Sequence, residues 1–216
     1  NWFAPDTYSN LSHHSREFDA SKIEKTFLCL NRHFNGFREH FVMDMLNEGL
    51  VNKGYVSLCD ANPEQKISML NPDYYHHWAD DSELRADYAK RSSDFVEALP
   101  LTVDITNFSH NHVKTVTPEF YHKTLLSVVT ETWVHEDTVF ITEKTYKAIQ
   151  MLHPFIILGN PGILSELRNF GFKTFSPLID ETYDTERNLE KRKNLILAEL
   201  QRLSNMSIEQ QQELAV

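Results

Sequence analysis

The chain has 216 residues, a formal charge of −10 at pH 7 and 41% hydrophobic residues, 14 Phe among them. That is enough apolar material for one large domain, or two small ones, to fold without disulfide or metal staples. The acidic balance repels phosphate backbones, so nucleic acid could enter only through a local basic cleft. Cys29 and Cys59 are the only cysteines, with no CxxC and no metal-ligand spacing, which is the usage of a reducing compartment. The start, "NWFAPDTYSNLSHH", resembles no secretory signal, and no apolar run approaches a membrane span. A cytoplasmic protein is expected. The chain begins at Asn1 rather than Met, as a fragment or a processed product would.

In chain order, residues 1–24 have no clean periodicity and read as a lead-in segment. "KTFLCLN", Lys25 to Asn31, is a short apolar run closed by polar residues and predicts a buried strand. In "FREHFVMDMLNEGLVNKG" the residues Phe37, Phe41, Met45 and Leu46 fall at helical spacing, and "YVSLC" predicts a second strand. Strand, helix, strand is the outline of a βαβ unit and favours a parallel sheet. Residues 60–123 read as an irregular, insert-like region with a helix over about Ser82–Leu99, and "PLTVDITNF" has the makings of a short strand. "TLLSVVTE" is a strand, Thr142–Leu152 a helix and "PFIILG" another strand. "PGILSELRNFG" is a helix with Pro161 near its start, and "FKTF" a last short strand. "DTERNLEKRKNLILAELQRL" is a long helix capped by Asp184 or Thr185, with Leu189, Ile196, Leu197, Leu200 and Leu203 as its apolar stripe. Ser207 with Gln210 three residues on opens a final turn. The expected fold is α/β, a Rossmann-like domain over residues 25–216 with a parallel sheet flanked by helices.

In such sheets ligands bind beyond the carboxyl ends of the strands. Three loops belong to that edge. One carries Asn31, Arg32 and Arg38, the second Glu131, Thr142, Glu143 and Lys144, and the third Gly159, Asn160 and Gly162. A cation pair such as Arg38 and Lys144 suits a diphosphate, helped by N–H groups at a helix start, and a carboxylate such as Glu143 suits ribose hydroxyls. The plainer reading makes Glu143 and Lys144 an ordinary first helical turn, with the acid favoured by the helix dipole. Neither GxGxxG nor GxxxxGK[ST] occurs, which argues against a dinucleotide site or P-loop.

At these loops the sequence resembles the nucleotide-sugar-binding half of the α-1,3-fucosyltransferase family, which has the two-domain GT-B architecture. The resemblance lies in two blocks, "FLCLNRHFNGFREHFVMDMLNEGL" and "LLSVVTETWVHEDTVFITEKTYKAIQMLHPFIILG". It extends to uncharacterised, often viral, glycosyltransferase-like proteins with the same Thr-Glu-Lys core. It implies that Arg38 and Lys144 contact the donor diphosphate, that Glu143 contacts the ribose, and that Glu131 lines the cleft, with Asn31, Thr142 and Gly159 in the matching motifs. Thr132 stands where the family has Asn. The family's acceptor domain, with its catalytic base, has no counterpart in the 24 residues before the first strand, so no base carries over. Either that domain was removed, or residues 60–123 substitute for it, or the protein only binds its ligand.

The implied activity is metal-independent transfer of a sugar from a GDP- or UDP-linked donor to an acceptor hydroxyl, with no cofactor. The acceptor would be a glycan, a protein or a hydroxymethylated base. A non-catalytic nucleotide-binding module, or a viral assembly protein that reuses the fold, is the alternative. His110 and His112, His13–His14 and His76–His77 read as solvated loop histidines rather than metal ligands, and "DETYD", Asp180–Asp184, as a capping cluster ahead of the long helix.

Overall fold

In the computed structural model, residues 19–32, 36–59, 62–75, 82–103, 116–134 and 138–216 are described. Their elements are strands β1 (Lys25–Asn31), β2 (Gly54–Leu58), β3 (Thr124–Thr130) and β4 (Phe155–Leu158), with eight α-helices. The helices are α1 (Gly36–Asn47), α2 (Pro63–Ser68), α3 (Ser82–Ala98), α4 (Pro118–His122), α5 (Glu143–Gln150), α6 (Ile163–Asn169), α7 (Leu189–Ser204) and α8 (Ile208–Leu214). The strands form one sheet in the order β2-β1-β3-β4, an α/β, Rossmann-like parallel sheet flanked by helices. The chain groups into two compact units, residues 30–106 and residues 1–29 with 107–216.

In the larger unit, β3 pairs with β1 (Phe27 opposite Leu126) and with β4 (Val128 opposite Ile156), both in parallel. Every residue of β3 and β4 is buried, as continuous apolar runs in a covered parallel sheet require. The edge strand β4 is blunted by Tyr183, whose hydroxyl accepts the Ile157 N–H at 3.2 Å. Helix α7 packs on β4 through the expected stripe, with Leu189, Ile196, Leu197, Leu200 and Leu203 all buried. Helix α8 has the predicted capping box of Ser207 and Gln210. It is tied back to the start of the unit by Gln212, which donates to the carbonyls of Ser21 and Ile23 at 3.2 Å.

Two expectations fail here, and one carboxylate accounts for each. "FKTF" is not a strand. The Glu181 carboxylate accepts from Phe175 N–H at 2.6 Å and Thr174 Oγ1 at 2.9 Å, so this segment bonds to a side chain instead of a sheet edge. The long helix begins at Leu189 rather than at Asp184 or Thr185. Asn188 caps it by accepting from Lys191 N–H at 3.0 Å, while Asp184 is committed to α6.

In the smaller unit, α1 is buried from Gly36 to Met45, charged residues included. Phe37, Phe41 and Met45 are among the buried residues, as their spacing predicts, and so are Arg38, Glu39, His40 and Asp44. Helix α3 packs on α1 with Tyr88, Ser92 and Phe95 inward. Arg91 of α3 pairs with Asp44 of α1, and Tyr88 stacks on His40 at 4.3 Å. In the segment after β2, α3 is the helix expected over about Ser82–Leu99, whereas α2, with Asn62 as its cap and Pro63 as its first residue, falls where an irregular stretch was expected. "PLTVDITNF" contributes a single antiparallel bridge, Leu101 to Leu58, before it leaves the described residues. Cys29 and Cys59 are both buried, the Cys59 thiol donating to Leu101 O at 3.6 Å.

Candidate functional site

The two βαβ connections run in opposite directions along the sheet, from β1 to β2 on one side and from β3 to β4 on the other. The strand order therefore reverses between β1 and β3, and in open α/β sheets ligands bind beyond the carboxyl ends of the strands at such a reversal, of which β3 offers one. The residue at that end is Glu131. Its main-chain N–H continues the ladder to Leu158 O at 2.9 Å, and its side chain is fully buried. A buried carboxylate is tolerated only when donors surround it. Glu131 accepts from Thr142 N–H at 3.0 Å, Thr142 Oγ1 at 2.5 Å and Thr145 Oγ1 at 2.7 Å. It is thus the strut that pins the head of α5 to the end of β3.

Thr142 is the N-cap of α5, with extended backbone ahead of the first turn. Its hydroxyl donates to Glu131 and accepts from Lys144, both from the main-chain N–H at 3.4 Å and from Nζ at 3.2 Å. Lys144 Nζ also reaches Glu143 Oε1 at 2.9 Å and Thr132 Oγ1 at 3.4 Å. The Glu143 and Lys144 side chains are each 31% exposed, so a solvent-facing ion pair rests on a buried polar lock. Burial by itself would raise the Glu143 carboxyl. The hydrogen bond and charge of Lys144 and the charge of Lys147 outweigh burial and hold it below its ordinary value.

Gly159 follows β4 and packs against this strut. A Cβ there would lie 3.3 Å from Glu131 Cβ and 3.0 Å from Ile163 Cδ1, so a larger residue would press on the strut and on the first residue of α6. Asn160 is buried beside it. The α6 start, with Gly162 at φ 82° as its N-cap, is filled from within the chain. Asp184 accepts from Leu164 N–H at 2.9 Å and Ser165 N–H at 3.3 Å, and its carbonyl takes Gly162 N–H at 2.7 Å. Burial raises the Asp184 carboxyl against the pull of those N–H groups. The acid cluster before the long helix therefore does cap a helix, but a different one.

Of the other residues singled out in the sequence, Asn31 and Arg38 belong to the smaller unit. Asn31 is buried at the end of β1, its N–H donating to Ser57 Oγ at 3.2 Å. Arg38 is 6% exposed, its guanidinium carbon 5.5 Å from the centre of the Phe37 ring. The histidine pairs 13–14, 76–77 and 110/112 lie outside the described residues. Among the described residues no group of three or more His, Cys, Asp or Glu is gathered to hold a metal. Sequence reading overlooked Thr145, one helical turn past Thr142 on the face of α5 that meets Glu131, a spacing that could have flagged it. It also overlooked Trp133 and Phe140, exposed rings stacked 4.7 Å apart beside the same loop. The chain matches no family model, no curated protein and no solved structure.

Proposed function

We propose that the chain binds the diphosphate of a nucleotide sugar at the head of α5 and serves as the donor-binding part of a glycosyltransferase. The observation that carries this reading is the Lys144 ammonium, partly exposed beside the α5 N-terminus, at the carboxyl end of a parallel strand where the strand order reverses. The Glu131 strut holds Thr142, and with it Lys144, in place before any ligand arrives, which lowers the ordering cost of binding. A partly exposed Lys–Glu pair contributes about 0–1 kcal/mol, so exchanging Glu143 for a phosphate oxygen costs little. Glu143, so released, can accept ribose hydroxyls.

In the transfer step the acceptor oxygen forms a bond to the anomeric carbon while the bond from that carbon to the diphosphate oxygen breaks. The electron pair leaves on the diphosphate, where Lys144 stabilises the growing charge, and the acceptor proton passes to a general base supplied with the acceptor. The test is a thermal-shift panel of UDP-, GDP-, ADP- and CMP-linked sugars, run with and without EDTA. Ligand at about 100 times its Kd stabilises by about 2.7 kcal/mol, or roughly 5–10 °C for a chain of this length, and chelation should not change the shift. No shift with any donor overturns the reading. Binding without transfer in the presence of acceptors reduces it to a nucleotide-binding module.

A further inference from the structure

Arg192 is the largest fully buried side chain among the described residues, 1% exposed in the first turn of α7. A guanidinium taken from water without an anion costs several kcal/mol, and buried Arg is ordinarily met by a carboxylate. Among the described residues no carboxylate is within ion-pair distance of it; the charges of Glu186 and Asp184 favour it only from farther off, and burial outweighs them. Its partners are main-chain carbonyls drawn from two loops. One terminal nitrogen donates to Glu186 O and Arg187 O in the turn before α7, and the other donates to Val134 O in the loop after β3. Its Nε is buried with no hydrogen-bond partner. The guanidinium fork therefore bridges two separate stretches of backbone, a task that Lys, with a single nitrogen, performs poorly.

The loop it holds is the one that matters for the α5 head. Val134 is two residues past Thr132, whose hydroxyl takes the Lys144 ammonium, and three past Glu131. We propose that Arg192 is a positioning residue for the anion site: by fixing the Val134 carbonyl it sets the Thr132–Val134 segment against which Lys144 is held. This rests on the donor-site reading as far as ligand binding is concerned, but the pinning of the loop is independent of it. A purely packing role would be met as well by Met or Leu, so what distinguishes the proposal is a local effect on this loop.

The experiment compares wild type, Arg192→Lys and Arg192→Met by hydrogen exchange of the amides of residues 132–134 and Thr142, by Trp133 fluorescence in a background where the other two tryptophans are Phe, and by calorimetry with UDP and GDP. Each exchange ratio is set against that of amides in the α7 core. The expected result is exchange faster by roughly tenfold in the loop and at Thr142 relative to α7, altered Trp133 emission, and nucleotide affinity down by roughly tenfold. Arg192→Lys keeps the charge without the fork and should show the same local pattern, so it carries the test if Arg192→Met does not fold. Exchange that rises uniformly across the protein, or not at all, overturns the pinning role. Faster loop exchange with unchanged nucleotide affinity overturns the link to the site. A wild-type chain that binds neither nucleotide overturns the donor-site reading, and the exchange and fluorescence arms then decide the loop role alone.

Discussion

His153, just ahead of β4, should make the fold lose stability on mild acidification. Its ring is fully buried between Thr124 O, 2.8 Å from Nε2, and Ser127 Oγ, 2.8 Å from Nδ1. A carbonyl can only accept, so Nε2 carries the proton and Nδ1 accepts from the Ser127 hydroxyl. This assigns one neutral tautomer. Burial pushes the imidazole down from 6.5 to about 4, with the Thr124 carbonyl opposing and the charge of His122 adding to the effect. The unfolded chain therefore takes up a proton at a pH where the native state refuses it, and stability is lost as pH falls from 6.5 towards about 4. At about 1.4 kcal/mol per pH unit the full span corresponds to roughly 3 kcal/mol, of which about 2 kcal/mol is already gone near pH 5. Urea unfolding of wild type and His153→Gln at about pH 7.5 and about pH 5 isolates this contribution, because the other histidines are common to both proteins. Glutamine can offer the same donor and acceptor without titrating. The loss between the two conditions should be smaller by about 2 kcal/mol in the variant. Equal losses would refute the reasoning, as would an NMR titration in which the His153 ring of the wild type protonates near its ordinary pKa.

Glu39, buried on α1 with Tyr74 donating to it at 2.8 Å, has the opposite slope. Burial raises its carboxyl from 4.5 to about 7 against the Tyr74 hydrogen bond, so its stability contribution is lost as pH rises through that window. Glu39→Gln should remove that loss and gain on the order of 2–3 kcal/mol over wild type near pH 8, read from unfolding midpoints. Leu152, 75% exposed, follows α5 at φ 52°, a left-handed position that favours glycine. Leu152→Gly should raise the melting temperature by a few degrees, relief of about 1–2 kcal/mol of strain being partly offset by glycine's chain entropy. A lower melting point would refute the strain at this position. Glu131→Gln exchanges one acceptor oxygen for a donor that faces other donors. It should cost about 1–3 kcal/mol, measured by calorimetric melting, with faster amide exchange at Thr142.

The sheet was largely readable because its strands are compact apolar runs with polar ends: β1 matches its expected bounds, and β3 and β4 fall within one residue of theirs. Helix α8 was readable because its capping box is local. What was not readable involves partners distant in sequence. Asp184 lies next to the long helix yet serves α6, 20 residues back, and Glu181 turns the apparent strand at Phe172–Phe175 into a loop. The pattern in α1 reveals one apolar face, but Arg38, Glu39, His40 and Asp44 are buried as well, in part through partners such as Arg91 on α3. At the candidate site, Glu131, Thr142 and Lys144 were singled out as a cleft. The division of labour, a buried strut beneath a partly exposed ion pair, needs the β3 end and the α5 head in register. The strand order, which places that end at the reversal, has no sequence signal.

The most direct test of the account is calorimetric titration of wild type and Lys144→Ala with the nucleotide diphosphates of the donor panel, UDP and GDP first. One charge-assisted contact contributes about 1.5–3 kcal/mol, so removing the ammonium should weaken binding by roughly ten- to a hundredfold while the melting temperature stays nearly unchanged. Equal affinity in the two proteins would contradict the assignment of the site.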